Sequence, residues 1–228
     1  LSGAKCWCSG ADRVDHALLT AWTPEGEGPY LVRVAINDAA GVTVRHGAWQ
    51  ARGMAGSASP DLRFDRVSAT RVGRLGDYVA RPGFAHGGAG LAACWYGGAV
   101  AVATFLHHVV AADKTGGAGP LRQAALGRVA RELRACAALL RETAEAIDRD
   151  PAADASALAL RARLTADDCA RTVLDEVSRA LGAAPFCRDA RFARFAVDLP
   201  IFIRQCHGDR DFQALGQTEA GIERPWAL

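Results

Sequence analysis

Apolar and polar positions follow two different periods along the chain, and the change falls near residue 80. Before it, short runs rich in aliphatic and β-branched residues alternate with turn formers. Residues 17–22 make one run, and Pro24 to Pro29 make a turn. Residues 30–36 alternate, with Leu31 and Arg33 opposite Val32 and Val34. Asn37, Asp38 and Gly41 close a loop before 42–44, and 62–67 alternates again. Cys6, Trp7 and Cys8 read as one more extended piece, with the two thiols on the face opposite the indole. A period of two bounded by Gly, Pro, Asn and Asp predicts an antiparallel sheet of modest strands.

After Pro82 the period is helical. Residues 84–112 carry no Asp, Glu, Lys or Arg, and a Gly-rich break at 115–120 ends that stretch. Leu126, Val129, Leu133, Cys136, Leu140 and Ala144 recur at three- and four-residue steps, which predicts a second helix over about 121–148. Asp150-Pro151 stops it. Leu158, Leu160, Leu164, Val173, Val177 and Leu181 mark a third helix over about 153–181, with Gly182 as its C-cap. A fourth starts near Asp189 and runs through Phe192, Phe195 and Leu199 towards Leu215, kinked or split by Pro200. The fold class expected is α+β. An antiparallel β-sandwich or barrel-like domain over 1–80 precedes an antiparallel four-helix bundle over 81–216 and an irregular tail over 217–228.

Composition narrows the picture. Half of the 228 residues are apolar and 23% are charged, enough to bury a core. The 27 basic and 25 acidic residues leave +2, which excludes a general electrostatic attraction to nucleic acid or to an anionic membrane. Lys5 and Lys114 are the only lysines; Arg and Ala dominate as in a GC-rich bacterial coding sequence. Residues 84–112 are long enough to cross a bilayer, but their five glycines and three histidines favour the buried central helix of a soluble bundle. Seven cysteines without a C-x-x-C pair read as packing thiols of a reduced, cytoplasmic protein, with no tetrahedral metal set. The opening residues read as the continuation of a longer chain.

Leu1-Ser2-Gly3-Ala4-Lys5-Cys6-Trp7-Cys8-Ser9-Gly10-Ala11 resembles a middle-domain segment of the acyl-CoA dehydrogenase superfamily, hydrophobic-x-Gly-x-Lys-x-Trp-x-Ser/Thr. Gly53, Met54, Ser57, Ser59, Leu62, Phe64, Asp65 and Val67 resemble the closing strands of that domain, and Arg122-Gln123-Ala124 opens the second helix much as the family's His-Gln does. A Gly-rich connector and four helices follow in the same order, so the resemblance covers nearly the whole chain. Members also have an N-terminal helical domain and an early middle-domain segment that this sequence does not include. The resemblance implies FAD as cofactor, an acyl-CoA or similar thioester as substrate, and a homo- or hetero-oligomer, dimer or tetramer. It also implies a reaction in which a base takes the α-proton while hydride leaves the β-carbon for flavin N5. Trp7 would lie against the isoalloxazine and Ser9 would hydrogen-bond near N5. An indole packed in a β core, with Ser9-Gly10 as a plain turn, is the alternative the residues leave open. Lys114 aligns with the Arg that grips the FAD pyrophosphate of a neighbouring subunit, keeping the charge but losing the bidentate fork. Gln123 and Gly182 fall at further FAD contacts, Gly182 in the turn that meets the partner's adenine half.

The catalytic Glu of the family is missing. Its two alternative positions fall near His86-Gly87-Gly88 and near Ile203-Arg204. His86 and His207 are the candidate substitutes: imidazole accepts protons near neutrality, and Asp211 follows His207 at i+4, where it can orient the ring. Two alternatives to a dehydrogenase follow. One is a flavin-dependent monooxygenase or oxidase on the same fold, which needs no Glu. The other is a non-catalytic subunit completing a partner's flavin site.

Overall fold

A computed structural model describes residues 1–37, 39–113 and 119–223. The chain divides into two compact units, Leu1–Phe84 and Ala85–Leu228. In the first, the strands in chain order are β1 (Gly3–Lys5), β2 (His16–Ala21), β3 (Tyr30–Ala35), β4 (Val42–Arg45), β5 (Asp61–Phe64) and β6 (Ala69–Val72), followed by the single-turn helix α1 (Asp77–Ala80). They form two three-stranded sheets, ordered β1-β5-β4 and β2-β3-β6, with every pairing antiparallel. Val34, Ile36, Leu62, Phe64 and Val67 are buried, and Ala17, Leu19, Val42 and Val44 pack against them, so both sheets share one core. The predicted alternation of β3 holds: Val34 is buried and Arg33 is exposed. β6 is a strand that periodicity does not reveal, because all four of its residues are exposed. At Gly41, where φ is +85°, a Cβ would stand 2.5 Å from the Asp65 carbonyl oxygen, so only glycine fits the turn into β4.

The helices are α2 (Pro82–Ala112), α3 (Gly119–Arg149), α4 (Ser156–Leu181), α5 (Ala184–Arg188), α6 (Ala190–Phe202) and α7 (Asp209–Glu219). Trp95, Val102 and Leu106 of α2, Val129 of α3, Val173 and Val177 of α4 and Phe192 of α6 share one core. Phe192 stands edge-on to Phe105 and to Phe186, each at 5.0 Å between centroids. Gly98 lets α2 and α6 meet closely; a Cβ there would lie 2.8 Å from Leu199 Cδ1. α2 is, among the described helices, the one long and apolar enough to cross a membrane. Its Ala92, Trp95, Ala99, Val102 and Leu106 are fully buried in this core.

The C-terminal part differs from the expectation in three ways. Asp189 starts α6 as predicted, its carboxylate accepting from the Arg191 and Phe192 amides at 2.9 Å. Pro200, however, lies inside α6 without splitting it. The break comes after the 3₁₀ turn at Ile203–Gln205, where Gly208 takes φ +58° and α7 begins as a separate helix. α7 reaches Glu219, so residues 217–219 are helical rather than irregular, and α5 is an extra helix after Gly182. All seven cysteines are free thiols, but only Cys136 and Cys169 are fully buried; Cys6, Cys94 and Cys187 are exposed and do not pack as expected.

Phe192 is 0% exposed. Its replacement in Phe192→Ala removes a large side chain flanked by Phe105 of α2 and Phe186 of α5, and urea unfolding followed by circular dichroism should register a loss of about 3–5 kcal/mol.

Candidate functional site

The strand expected through Trp7 is not there. β1 ends at Lys5, because its pairing ends where Lys5 meets Leu62, and Trp7 takes a left-handed φ of 56°. Cys6 and Cys8 therefore do not share a strand face. Cys6 is exposed, while Cys8 turns its thiol to within 3.3 Å of the Lys5 carbonyl, and burial pushes that thiol up.

The loop from Cys6 to Ala11 is strapped to the loop ahead of β5. The Trp7 amide donates to Asp61 Oδ1 at 3.0 Å, and the Cys8 amide to the Pro60 carbonyl at 2.8 Å. The Gly10 amide is shared between the Ser57 and Ala58 carbonyls at 3.2 and 3.1 Å. Ser9 Oγ lies 2.7 Å from Ser59 Oγ, which lies 2.8 Å from Ser57 Oγ. Trp7, Met54 and Ala58 all have positive φ in these two loops, a conformation that costs non-glycine residues about 1–3 kcal/mol each and persists only when surrounding bonds over-determine it. The strapping leaves the Trp7 side chain 74% exposed rather than sealed in the β core. Beside it runs a cleft of about 320 Å³, lined by Lys5, Trp7, Ser9, Val14 and Leu18 among others. An open indole face with a hydroxyl two residues on suits a planar aromatic ligand that needs an apolar wall and a hydrogen-bonding group.

The remaining candidates belong to the helical unit. Lys114 lies outside the described residues. Gln123 is exposed in the first turn of α3, and Gly182, also exposed, caps α4 with φ +67°, its amide bonded to the Ser178 carbonyl at 2.9 Å. Arg122 Nε reaches the Ala180 carbonyl at 3.2 Å, which joins the start of α3 to the end of α4. A groove of about 890 Å³ there is lined by Arg122, Arg128, Glu176 and Arg179, but not by Gln123 or Gly182. Glu176 meets Arg128 at 2.9 Å and Arg179 at 3.1 Å, and the bond from Arg128 above all holds it below the usual glutamate range.

His86 sits early in α2, half-buried, and its Nε2 is buried without a hydrogen-bond partner. His207 has its Nδ1 3.2 Å from Asp211 Oδ1, and its amide donates to Oδ2 at 3.0 Å. The expected His–carboxylate pair is present, but not within one helix: His207 precedes α7, and Asp211 in its first turn reaches back over Gly208. Burial alone would raise the Asp211 carboxyl; the bonds from His207 outweigh it and hold it below the usual range. At the second Glu position, Ile203 is buried and Arg204 stands 3.7 Å from Asp167. Burial pushes Asp167 up, although Arg171 contacts it at 2.8 Å. Trp7 and Ser9 are thus brought to one cleft, and Gln123 and Gly182 to one end of the bundle. Asp61, Arg128 and Arg179 are missed by sequence reasoning, and Ser57, Ser59 and Arg122 enter it as motif residues without a site role, because strand pairing and helix packing bring them to their sites. The Ser57-x-Ser59 spacing ahead of β5 was the one visible signal.

With this geometry in place, comparison with known proteins defines the class. The family model described as acyl-CoA dehydrogenase, C-terminal domain, matches residues 74–204, more than half of the chain. The chain belongs to the acyl-CoA dehydrogenase family. No curated protein matches it in sequence. Among solved structures, butyryl-CoA dehydrogenase from Megasphaera elsdenii is 19% identical with a TM-score of 0.78, over 96% of this chain and 59% of that one. Dibenzothiophene monooxygenase from a Paenibacillus species is 19% identical with a TM-score of 0.73, over 95% and 63%. XiaF from Streptomyces sp., solved with FADH2 and glycerol, is 22% identical with a TM-score of 0.75, over 100% and 65%. The chain spans about three fifths of the length of these proteins, and at such identities they establish the shared fold.

Asp211 titrates below its unfolded value, so the stability it contributes is present above the ordinary aspartate range and is lost as pH falls through the folded value. Asp211→Asn should lower stability at neutral pH by about 1–3 kcal/mol. It should also flatten the acid limb of a plot of urea midpoint against pH.

Proposed function

We propose that the chain is the flavin-binding part of an acyl-CoA dehydrogenase-type oxidoreductase that removes an α-proton and a β-hydride from an acyl thioester. The observation that carries this reading is the exposed Trp7 face beside the Ser9 hydroxyl, held open by Asp61 and Ser59 in a chain of this family. Bound FAD supplies the electrophilic nitrogen that takes the hydride. The indole of Trp7 would support the ring and exclude water from one side, and Ser9 would hydrogen-bond near N5. Lys114 would serve the pyrophosphate and Gly182 the adenine half of a neighbouring subunit's FAD, Gln123 would make a further FAD contact, and the arginine-lined groove between the start of α3 and the end of α4 would add charge. Residues 1–80 are then part of the middle β domain and the helices from α2 to α7 the helical domain, in a cytoplasmic oligomer.

His86 is the proton acceptor this reading favours. Its Nε2 is a buried ring nitrogen with no partner, an unmet cost of about 1–3 kcal/mol that a ligand proton can relieve. His207 is the second candidate: with Nδ1 turned to Asp211, its Nε2 is left as the acceptor. A reduced-flavin monooxygenase is the second reading, favoured by the lack of any carboxylate from 84 to 112 and at Ile203-Arg204. Oxygen chemistry at a flavin needs no base for an α-proton.

The protein incubated with FAD and desalted should keep a visible flavin band, which acyl-CoA bleaches without oxygen. Trp7→Ala should weaken FAD binding at least about tenfold, a loss of some 1.4 kcal/mol. A colourless wild type would sink the flavin reading; a band that acyl-CoA leaves intact, with oxygen consumed by the reduced form, would move the assignment to the monooxygenase. His86→Ala should keep the band and slow bleaching by about 10²–10⁴-fold in stopped-flow traces.

A further inference from the structure

We infer that Ser59 is a positioning residue for the flavin site, acting through a Ser57–Ser59–Ser9 hydroxyl relay that sets which way Ser9 points its proton. The inference rests on the flavin reading above and deepens it.

Ser59 is 3% exposed, and its Oγ has a hydroxyl on either side, Ser9 at 2.7 Å and Ser57 at 2.8 Å. The backbone at Ala58, with φ 42°, turns the chain so that the hydroxyls of Ser57 and Ser59 meet. Ser9, at the other end of the relay, is exposed and lines the Trp7 cleft. Three hydroxyls carry three protons, and the two links use two of them. When Ser57 donates to Ser59 and Ser59 to Ser9, the Ser9 proton is free for the cleft. When all three rotate, Ser9 donates inward and offers the cleft only lone pairs. Each state keeps both links, and no covalent bond changes.

The chemistry of a flavin calls for both states. Its N5 accepts a hydrogen bond when oxidised and carries a proton to donate when reduced. A lone serine facing that change competes with water in each state. A serine tied to a buried hydroxyl has its orientation set by that partner, and successive links polarise one another. Burial keeps water from replacing Ser59, so the relay depends on that side chain.

The test compares FAD-loaded wild type with Ser9→Ala, Ser59→Ala, Ser59→Thr and the Ser9→Ala/Ser59→Ala double variant, read by the position of the visible band and the midpoint potential of bound FAD. Without cofactor, hydrogen exchange at the Gly10 amide reports whether the loop is still strapped. Ser59→Ala should shift band and potential in the same direction as Ser9→Ala, the double variant should match Ser9→Ala alone, and Ser59→Thr should restore the wild-type values. Such non-additivity marks a residue that acts through another, whereas a merely structural role would add. A Ser59→Ala spectrum and potential identical to wild type, or effects that add in the double variant, would overturn the relay while leaving the flavin reading intact. Should Ser59→Ala fail to fold, Ser57→Ala removes only the outer link; a smaller shift in the same direction supports the relay and no shift overturns it. A wild type that takes up no FAD overturns both.

Discussion

The hydrogen bond from the Trp7 amide to the Asp61 carboxylate is the contact on which the site depends. Asp61 is the first residue of β5, whose place is fixed by antiparallel pairing to β1 on one side and to β4 on the other. The carboxylate therefore sits on a rigid element and reaches the loop at the point where the chain leaves β1. The Cys8 bond to Pro60 and the Gly10 bonds to Ser57 and Ala58 continue the strap along both loops. Together they hold Trp7 and Ala58 in left-handed backbone and turn a large indole to solvent. A tryptophan that could be buried, held open by several backbone bonds, is the kind of local conflict that marks a functional surface.

The helical unit shows the same opposition of apolar packing and local polar anchoring. Phe192 and Trp95 hold α2 and α6 in one core, with Gly98 giving Leu199 the space to approach. At the far end of α6 the helix does not simply continue. Asp211 collects the His207 amide, the His207 ring and the Cys206 thiol, and this one carboxylate closes the turn between α6 and α7. The dense polar run from Arg204 to Asp211 is thus first a chain reversal, and the ring of His207 remains 68% exposed beside it.

Family membership and the lack of a glutamate at the two expected positions pull in different directions, and under the proposed function imidazole chemistry would reconcile them. A buried ring nitrogen without a partner on α2 and a carboxylate-oriented ring before α7 are the groups that the proposed function assigns as proton acceptors. Arg204, 3.7 Å from Asp167, puts a cation near the second position where the family resemblance implies a base. Under the proposed function, that exchange of charge would alter what a substrate meets there.

Much of the fold was legible in the residues alone. The period of two through β2 to β5 and the three-to-four spacing of α3 and α4 follow from which face must be dry, and a linear pattern records that directly. The helix start near Asp189 and the cap at Gly182 could be read for the same reason, since their bonds are local. β6 could not be read, because a strand exposed at every position carries no alternation. The break after α6 could not either: Pro200 was the visible signal, but a carboxylate beyond the turn decided the outcome. Trp7 and Ser9 were legible as a motif, yet the open face of the indole and the buried Ser59 behind the hydroxyl were not. Those depend on partners more than 45 residues away, Asp61 with a separation of 54 and Ser59 with 50, that only sheet pairing brings into reach.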